Sequence, residues 1–171
     1  MKRQFDQVLQ ERARQLARPL RATSSQGETM LLFALGEERF ATPLGSLREV
    51  VTTAVLTAVP GIPQPFIGLT NIRGALIAVL DVRRLLRIAD PRPDGIHPIL
   101  LAEDESGLIG VWADAVHGLI EIEVGALDTK RAQAFPGLWG RSADLTAVIR
   151  LDELIAAARL AAHSTNALFE V

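Results

Sequence analysis

The sequence predicts an all-β body with a helix at either end, and three observations carry that reading. From Met30 onward short apolar runs rich in β-branched residues follow one another, separated by Gly, Pro and polar punctuation. Before residue 21 the apolar residues instead recur at three- and four-residue steps, the period of a helix face. After Asp152 that spacing returns through Leu154, Ile155, Ala158 and Ala162.

Taken in order, Phe5, Val8, Leu9, Ala13, Leu16, Ala17 and Leu20 lay one stripe on a helix that ends near Arg18-Pro19, because a residue before proline is pushed out of the helical region. Residues 21–28, RATSSQGE, read as a linker. The first strand series is Met30–Leu35, Arg39–Pro43, Leu47–Val51, Leu56–Val59 and a long strand Asn71–Leu80. In that last strand Arg73 sits near the open end, and Gly74 would allow another backbone to approach beside it. Asp81 ends the strand with a carboxylate able to accept a backbone N–H, and Val82–Ile88 reads as one or two helical turns. The tract Asp90–Gly95 (DPRPDG) predicts a loop leading to a second series: Pro98–Ala102, Leu108–Ala113, Val116–Val124 and Leu145–Leu151. Asp152 is placed to cap a terminal helix ending by His163-Ser164. The boundaries expected are 1–27 for the helical extension and linker, 28–162 for the body and 163–171 for a tail. Ala78–Asp81 with its following turn is faintly echoed by Ala147–Asp152, as though two lobes each close with a strand and a helical turn.

Composition narrows the function classes. A 171-residue chain with 49% hydrophobic residues is large enough to bury a core as one domain or two small lobes. Cysteine is absent, which removes disulfides, thiolate metal sites and a cysteine nucleophile and suits a reducing compartment. The charged start MKRQFDQVLQER lacks the apolar core of an export signal, and the longest apolar runs are too short to span a membrane, so a cytoplasmic protein is expected. The formal charge is only −2, yet residues 1–22 hold six basic and two acidic residues, leaving +4 there and −6 on the rest. An acidic body with 5% aromatics and no tyrosine is a poor partner for nucleic acid.

No reaction centre assembles from the residues. His97, His117 and His163 lack metal spacing, and no HExxH, nucleophile elbow, phosphate loop or calcium loop is present. Asp81 and Asp114 each make sense as turn formers at strand ends, a reading preferred to a catalytic pair. His117 reads as a partly exposed structural histidine, so no catalytic residue, cofactor or metal is expected.

The stretch Phe66–Leu86, FIGLTNIRGALIAVLDVRRLL, carries a resemblance. Gly68, Asn71, Arg73, Gly74, Asp81 and Arg83 fill the signature places of the CheW family of bacterial chemotaxis coupling proteins. The apolar pair around Pro43, the Val59-Pro60 and Pro63 connection and the run GVWADAV follow in the family's order, so the similarity covers about residues 28–160. It implies two interleaved SH3-like five-stranded β-barrel lobes and an adaptor without chemistry of its own. One surface would bind a CheA-type histidine kinase, and the interlobe groove would take the helical tip of a methyl-accepting chemotaxis receptor. Membrane association would then be indirect, through receptor arrays.

The same resemblance implies receptor-binding roles for Leu47, Glu49, Gly68, Arg73, Val116 and Leu119, and it names no kinase-contact residue. Read without it, Leu47, Val116 and Leu119 would be core, Glu49 solvent-facing, Gly68 a turn glycine and Arg73 a solvated surface arginine. Trp112 stands where the family has a small aliphatic residue, and core is the reading preferred. Trp139 falls in a stretch where the family has a variable loop. The N-terminal stripe is expected to dock on its own body, ahead of pairing with another chain or lying on an anionic membrane. A different small-barrel module, such as an oligonucleotide-binding barrel, is the alternative, though it should show a basic, aromatic face that this body lacks.

Overall fold

The computed structural model describes residues 27–166 apart from 53–54, 90–94, 105 and 131, with side chains through His163. The expected helix over 1–20 and most of the DPRPDG loop lie outside the described residues. Among the described residues there are eleven strands: β1 (Gly27–Leu35), β2 (Glu38–Pro43), β3 (Leu47–Val51), β4 (Leu56–Thr57), β5 (Phe66–Ile72), β6 (Ala75–Leu80), β7 (Ile99–Asp104), β8 (Gly107–Trp112), β9 (Ala115–Glu123), β10 (Leu138–Arg141) and β11 (Ala147–Ile149). Among the described residues two α-helices accompany them, the short α1 (Arg83–Leu86) and the terminal α2 (Leu151–Asn166).

The strands form one five-stranded sheet, in the order β10-β11-β2-β1-β9, and one six-stranded sheet, in the order β3-β7-β8-β6-β5-β4. The two lobes are therefore interleaved along the chain and do not divide at the 90–95 loop, as a linear reading of two strand series suggests. The hairpin β1-β2 joins the sheet completed by β9–β11, while β7 and β8 complete the sheet begun by β3–β6. Leaving β4 aside, the two orders are the same. Each contains a hairpin, a neighbouring hairpin joined to it by one parallel pairing (β11 with β2, β6 with β8), and an edge strand arriving from the other sheet. Each second hairpin is followed by a helix. The faint echo at Ala78–Asp81 and Ala147–Asp152 is thus the sequence trace of a repeated topology.

Alternation at period two gives each strand two apolar destinations. On β7, Leu100 and Ala102 enter the main core with Phe33, Leu35, Phe40 and Leu80, whereas Ile99 and Leu101 enter a second cluster with Ile72, Val79 and Trp112. On β1, Leu31 and Phe33 join the main core and Met30 a third cluster with Ala41, Ile122 and Val148. Helix α2 closes the main core with Leu151, Leu154, Ile155 and Ala158, all buried on one face. Each such leucine contributes about 1.5–3 kcal/mol. Trp112 is core as expected, its indole in tilted contact with the His97 ring at a centroid distance of 4.9 Å.

Several expected boundaries shift. The long Asn71–Leu80 strand is instead a hairpin, with Ile72 paired to Ala75 and Arg73-Gly74 forming the turn. Both turn residues have positive φ, 53° and 87°, the geometry of the two-residue turn that matches strand twist. Arg73 is therefore not on a strand, and nothing lies within 4 Å of the place where a Gly74 Cβ would stand. Gly74 serves the turn rather than a close approach. Asp152 does not cap α2, because the Leu154 N–H already bonds the carbonyl of Arg150, one residue before the helix. Asp152 and Glu153 occupy its first turn, where they complement the helix dipole. The helix continues to Asn166, past the expected stop. Trp139 lies on β10 rather than in a loop.

Candidate functional site

The hairpin turn projects Arg73 into solvent, with its side chain 79% exposed, and its Nη2 reaches the Glu49 Oε1 at 3.0 Å. Three local features set that geometry. The Asn71 Oδ1 accepts the Gly74 N–H at 2.9 Å and closes the turn. Ile72, beside the turn, is anchored in the second core cluster. Glu49 comes from β3, the opposite edge of the six-stranded sheet, so the pair spans between that edge and the β5-β6 turn.

A groove lies on each side of the pair. One is lined by Glu49, Val51, Val55, Leu69, Arg73 and Leu76 and measures about 640 Å³. The other, about 340 Å³, is lined by Glu49, Arg73, Ala75, Ile77, Leu101 and Leu108. Val55 and Leu76 are 70% and 73% exposed, so the charged ridge is bordered by solvent-facing apolar side chains.

A third groove, about 630 Å³, runs between the sheets and includes Leu47, Pro43, Ala102, Glu28, Asp152 and Trp139. Trp139 packs, partly buried, on the third core cluster, and the Arg150 guanidinium lies over its ring 5.7 Å from the centroid, within cation–π range.

The six residues singled out from sequence are distributed unevenly. Glu49 and Arg73 are joined. Leu47, two residues along β3, faces the intersheet groove and packs on the main core. Val116 and Leu119 sit on β9 in the other sheet and line none of these three grooves; Val116 packs on the main core while Leu119 is 57% exposed. Gly68 is buried, neither a turn residue nor an exposed contact. Its φ is 154°, the register of β5 against β6 shifts beside it, and a Cβ there would stand 2.3 Å from the Thr57 carbonyl oxygen. It lets β4 lie on β5.

The residue the sequence underrated is Arg83. Its side chain is 4% exposed, and it bonds Asp81 Oδ1 at 3.1 Å and Asp114 Oδ1. Asp114 in turn accepts the Gly36 N–H at 2.6 Å and the Trp112 Nε1–H at 3.4 Å, while its own N–H bonds the Ala34 carbonyl. Asp81 also accepts the Arg83 N–H, as expected of a strand-end turn former. Two carboxylates that sequence reading kept apart thus share one guanidinium, tying the end of β6 to the β1-β2 turn of the other sheet. The signal that could have found it was the Asp-x-Arg spacing followed by a helical turn.

Fold and surface together define a small two-sheet β module that offers grooves beside an exposed ion pair. A model of the CheW-like domain matches residues 29–160, and the chain belongs to that family. It is 28% identical over 99 residues to a probable chemotaxis protein CheW of Rhizobium etli, covering 57% of this chain and 64% of the relative. To the chemotaxis protein CheW of Rhizobium meliloti it is 26% identical over 96 residues, 56% and 62% of the two chains. To protein FrzA of Myxococcus xanthus it is 31% identical over 107 residues, 63% and 67%. The alignments with the two rhizobial relatives thus span under two thirds of their length. In fold it matches the scaffolding protein TtCheW from Thermoanaerobacter tengcongensis, with a TM-score of 0.62 at 23% identity over 72% of this chain and 88% of that one.

Proposed function

We propose that this protein is a non-enzymatic adaptor that couples methyl-accepting chemotaxis receptors to a CheA-type histidine kinase. The observation that carries the reading is the Glu49–Arg73 pair, held in solvent between two apolar-bordered grooves on a chain of the CheW-like family. An arginine fork half-engaged by one carboxylate keeps donors for a partner, and arginine beside apolar pockets is the composition of interface hot spots. Leu47, Glu49, Arg73, Val116 and Leu119 are the proposed receptor contacts. Gly68 acts on that surface through the backbone path it permits.

The adaptor works in the cytoplasm at receptor arrays, and it meets the membrane only through the receptors. Among the described residues no helix is long and apolar enough to cross a membrane. The relatives named for chemotaxis and the scaffolding protein of like fold support the same role.

The test is co-sedimentation of the purified chain with receptor signalling tips and a CheA-type kinase. The parent is expected to join the assembly and the Arg73→Glu variant to be left behind. A parent that never joins overturns the function; a variant that joins as the parent does overturns the site.

A further inference from the structure

The groove of about 340 Å³ beside the Arg73 turn is ringed by two ion pairs rather than one. Arg48 and Glu103 line it together with Glu49 and Arg73, and Arg48 reaches the Glu103 Oε2 through both Nε and Nη2. A bulge makes this possible. The pairing of β3 with β7 shifts between Leu47 and Glu49, so Arg48 is the extra residue, and two consecutive side chains that regular pleating would send to opposite faces line one groove. Along the rim the charges alternate in the order Arg73, Glu49, Arg48, Glu103. The floor is apolar. Ile72, Ile77 and Leu101 are buried in it, while Leu108, paired with Glu103 across β7 and β8, is 44% exposed and open to contact. Arg48 and Glu103 are themselves 65% and 46% exposed, and an ion pair so open to water does little for stability.

We propose that Arg48, Glu103 and Leu108 are further receptor contacts: the groove takes an apolar side chain of the receptor tip, while the rim reads a carboxylate at its Arg73 end and a basic residue at its Glu103 end. Taking the receptor tip as the partner rests on the adaptor reading. Three features choose this occupant. Glu49 and Arg73 belong to the same rim, so the surface is continuous with the site proposed for the receptor. At about 340 Å³ the groove is at the small end for a cleft, so it takes side chains from a helix laid across it rather than the helix itself. An apolar floor inside a polar rim is also the anatomy of an interface hot spot, in which the rim keeps water from the centre. The row of four charges is neutral as a whole, so it sets register and choice of partner rather than long-range attraction. A tip carrying its charges in the reverse order meets like charge at both ends.

The test is equilibrium binding of receptor signalling tips to the full-length parent and to two variants. Leu108→Ser removes the part of the floor within a partner's reach, and Glu103→Lys inverts the far end of the rim. Each should bind the tips at least about tenfold more weakly. For Glu103→Lys the loss should shrink as salt is raised, because repulsion at an exposed rim is screened. Both positions are exposed, so both variants should unfold close to the parent's temperature. Tips that bind either variant as tightly as the parent, while Arg73→Glu loses them, overturn the proposal and leave the adaptor reading standing. A Glu103→Lys loss that salt does not relieve also overturns it, since shape rather than charge would then be read. Tips that fail to bind even the parent overturn the adaptor reading and this site together.

Discussion

Arg83 reaches Asp114 across the seam between the two sheets, and the two side chains are nearly buried there. Arg83 belongs to the helical turn that follows β6, whereas Asp114 is the crossover between β8 and β9 and holds the β1-β2 turn through Gly36. One ion pair therefore fixes where the crossover strand leaves one lobe for the other.

Removing one member of such a buried pair leaves an uncompensated charge, which typically costs about 3–5 kcal/mol. Arg83→Met leaves the Asp81 and Asp114 carboxylates facing each other with no cation between them. We expect a loss of that size in urea unfolding at neutral pH, and recovery of most of it when Asp81→Asn and Asp114→Asn are added. A single variant as stable as the parent would show that the seam is held by packing alone.

Asp144 supplies a pH signature. In the turn between β10 and β11 its carboxylate accepts the Ser142 hydroxyl first of all, then the Thr146 hydroxyl and N–H, with the Arg39 guanidinium 3.7 Å away, and these hold its pKa below the ordinary value. A depressed folded pKa contributes stability that is fully present above the unfolded value, near 3.9, and is lost as pH falls through the lower folded value. The site is exposed, so Asp144→Asn should cost roughly 0.5 kcal/mol at pH 7. The difference between variant and parent should vanish in acid titrations below the ordinary carboxylate range; a difference independent of pH would assign the effect to shape rather than charge.

Gly68 tests whether a signature glycine serves the partner or the fold. An alanine Cβ would stand 2.3 Å from a backbone oxygen, which cannot yield as a side-chain tip would, and the φ of 154° adds strain. Gly68→Ala should therefore destabilise by about 1–3 kcal/mol, the usual range for overpacking, with β4 displaced. Amide exchange at Leu56 and Thr57 should rise selectively. Unchanged stability with lost binding would instead make Gly68 a direct contact.

How much of this was legible in sequence depended on whether the information was local. Period-two runs marked β3 to the residue and most other strands within two, because alternate burial writes itself into neighbouring positions. The stripe on α2 was legible for the same reason. The Arg73-Gly74 turn was missed, since two residues flanked by apolar runs look like an unbroken strand unless the positive φ demanded by Asn-x-Arg-Gly is recognised. The interleaving of lobes was hidden because pairing of β2 with β11 and of β6 with β8 is set by distant contacts. Arg83 was passed over for a similar reason: its partner Asp114 is 31 residues away. Glu49 and Arg73, by contrast, could be nominated from family resemblance, but only the coordinates join them.

The Arg73 turn sets stability against binding. A non-glycine residue at positive φ costs about 1–2 kcal/mol, a cost that asparagine largely escapes, while an exposed ion pair returns about 0–1 kcal/mol. Arg73→Asn should therefore leave thermal stability equal to the parent's or slightly above it, and Gly74→Ala should lower it by about 1 kcal/mol. Partner binding should move the other way for Arg73→Asn. Truncating an arginine hot spot removes at least about 2 kcal/mol, close to thirtyfold in affinity for receptor tips. Arg73→Lys keeps the charge but not the planar fork, so it should recover little of that loss. Lysine binding as well as arginine would reduce the site to simple charge attraction, and asparagine binding as well as arginine would make Arg73 a turn residue and nothing more.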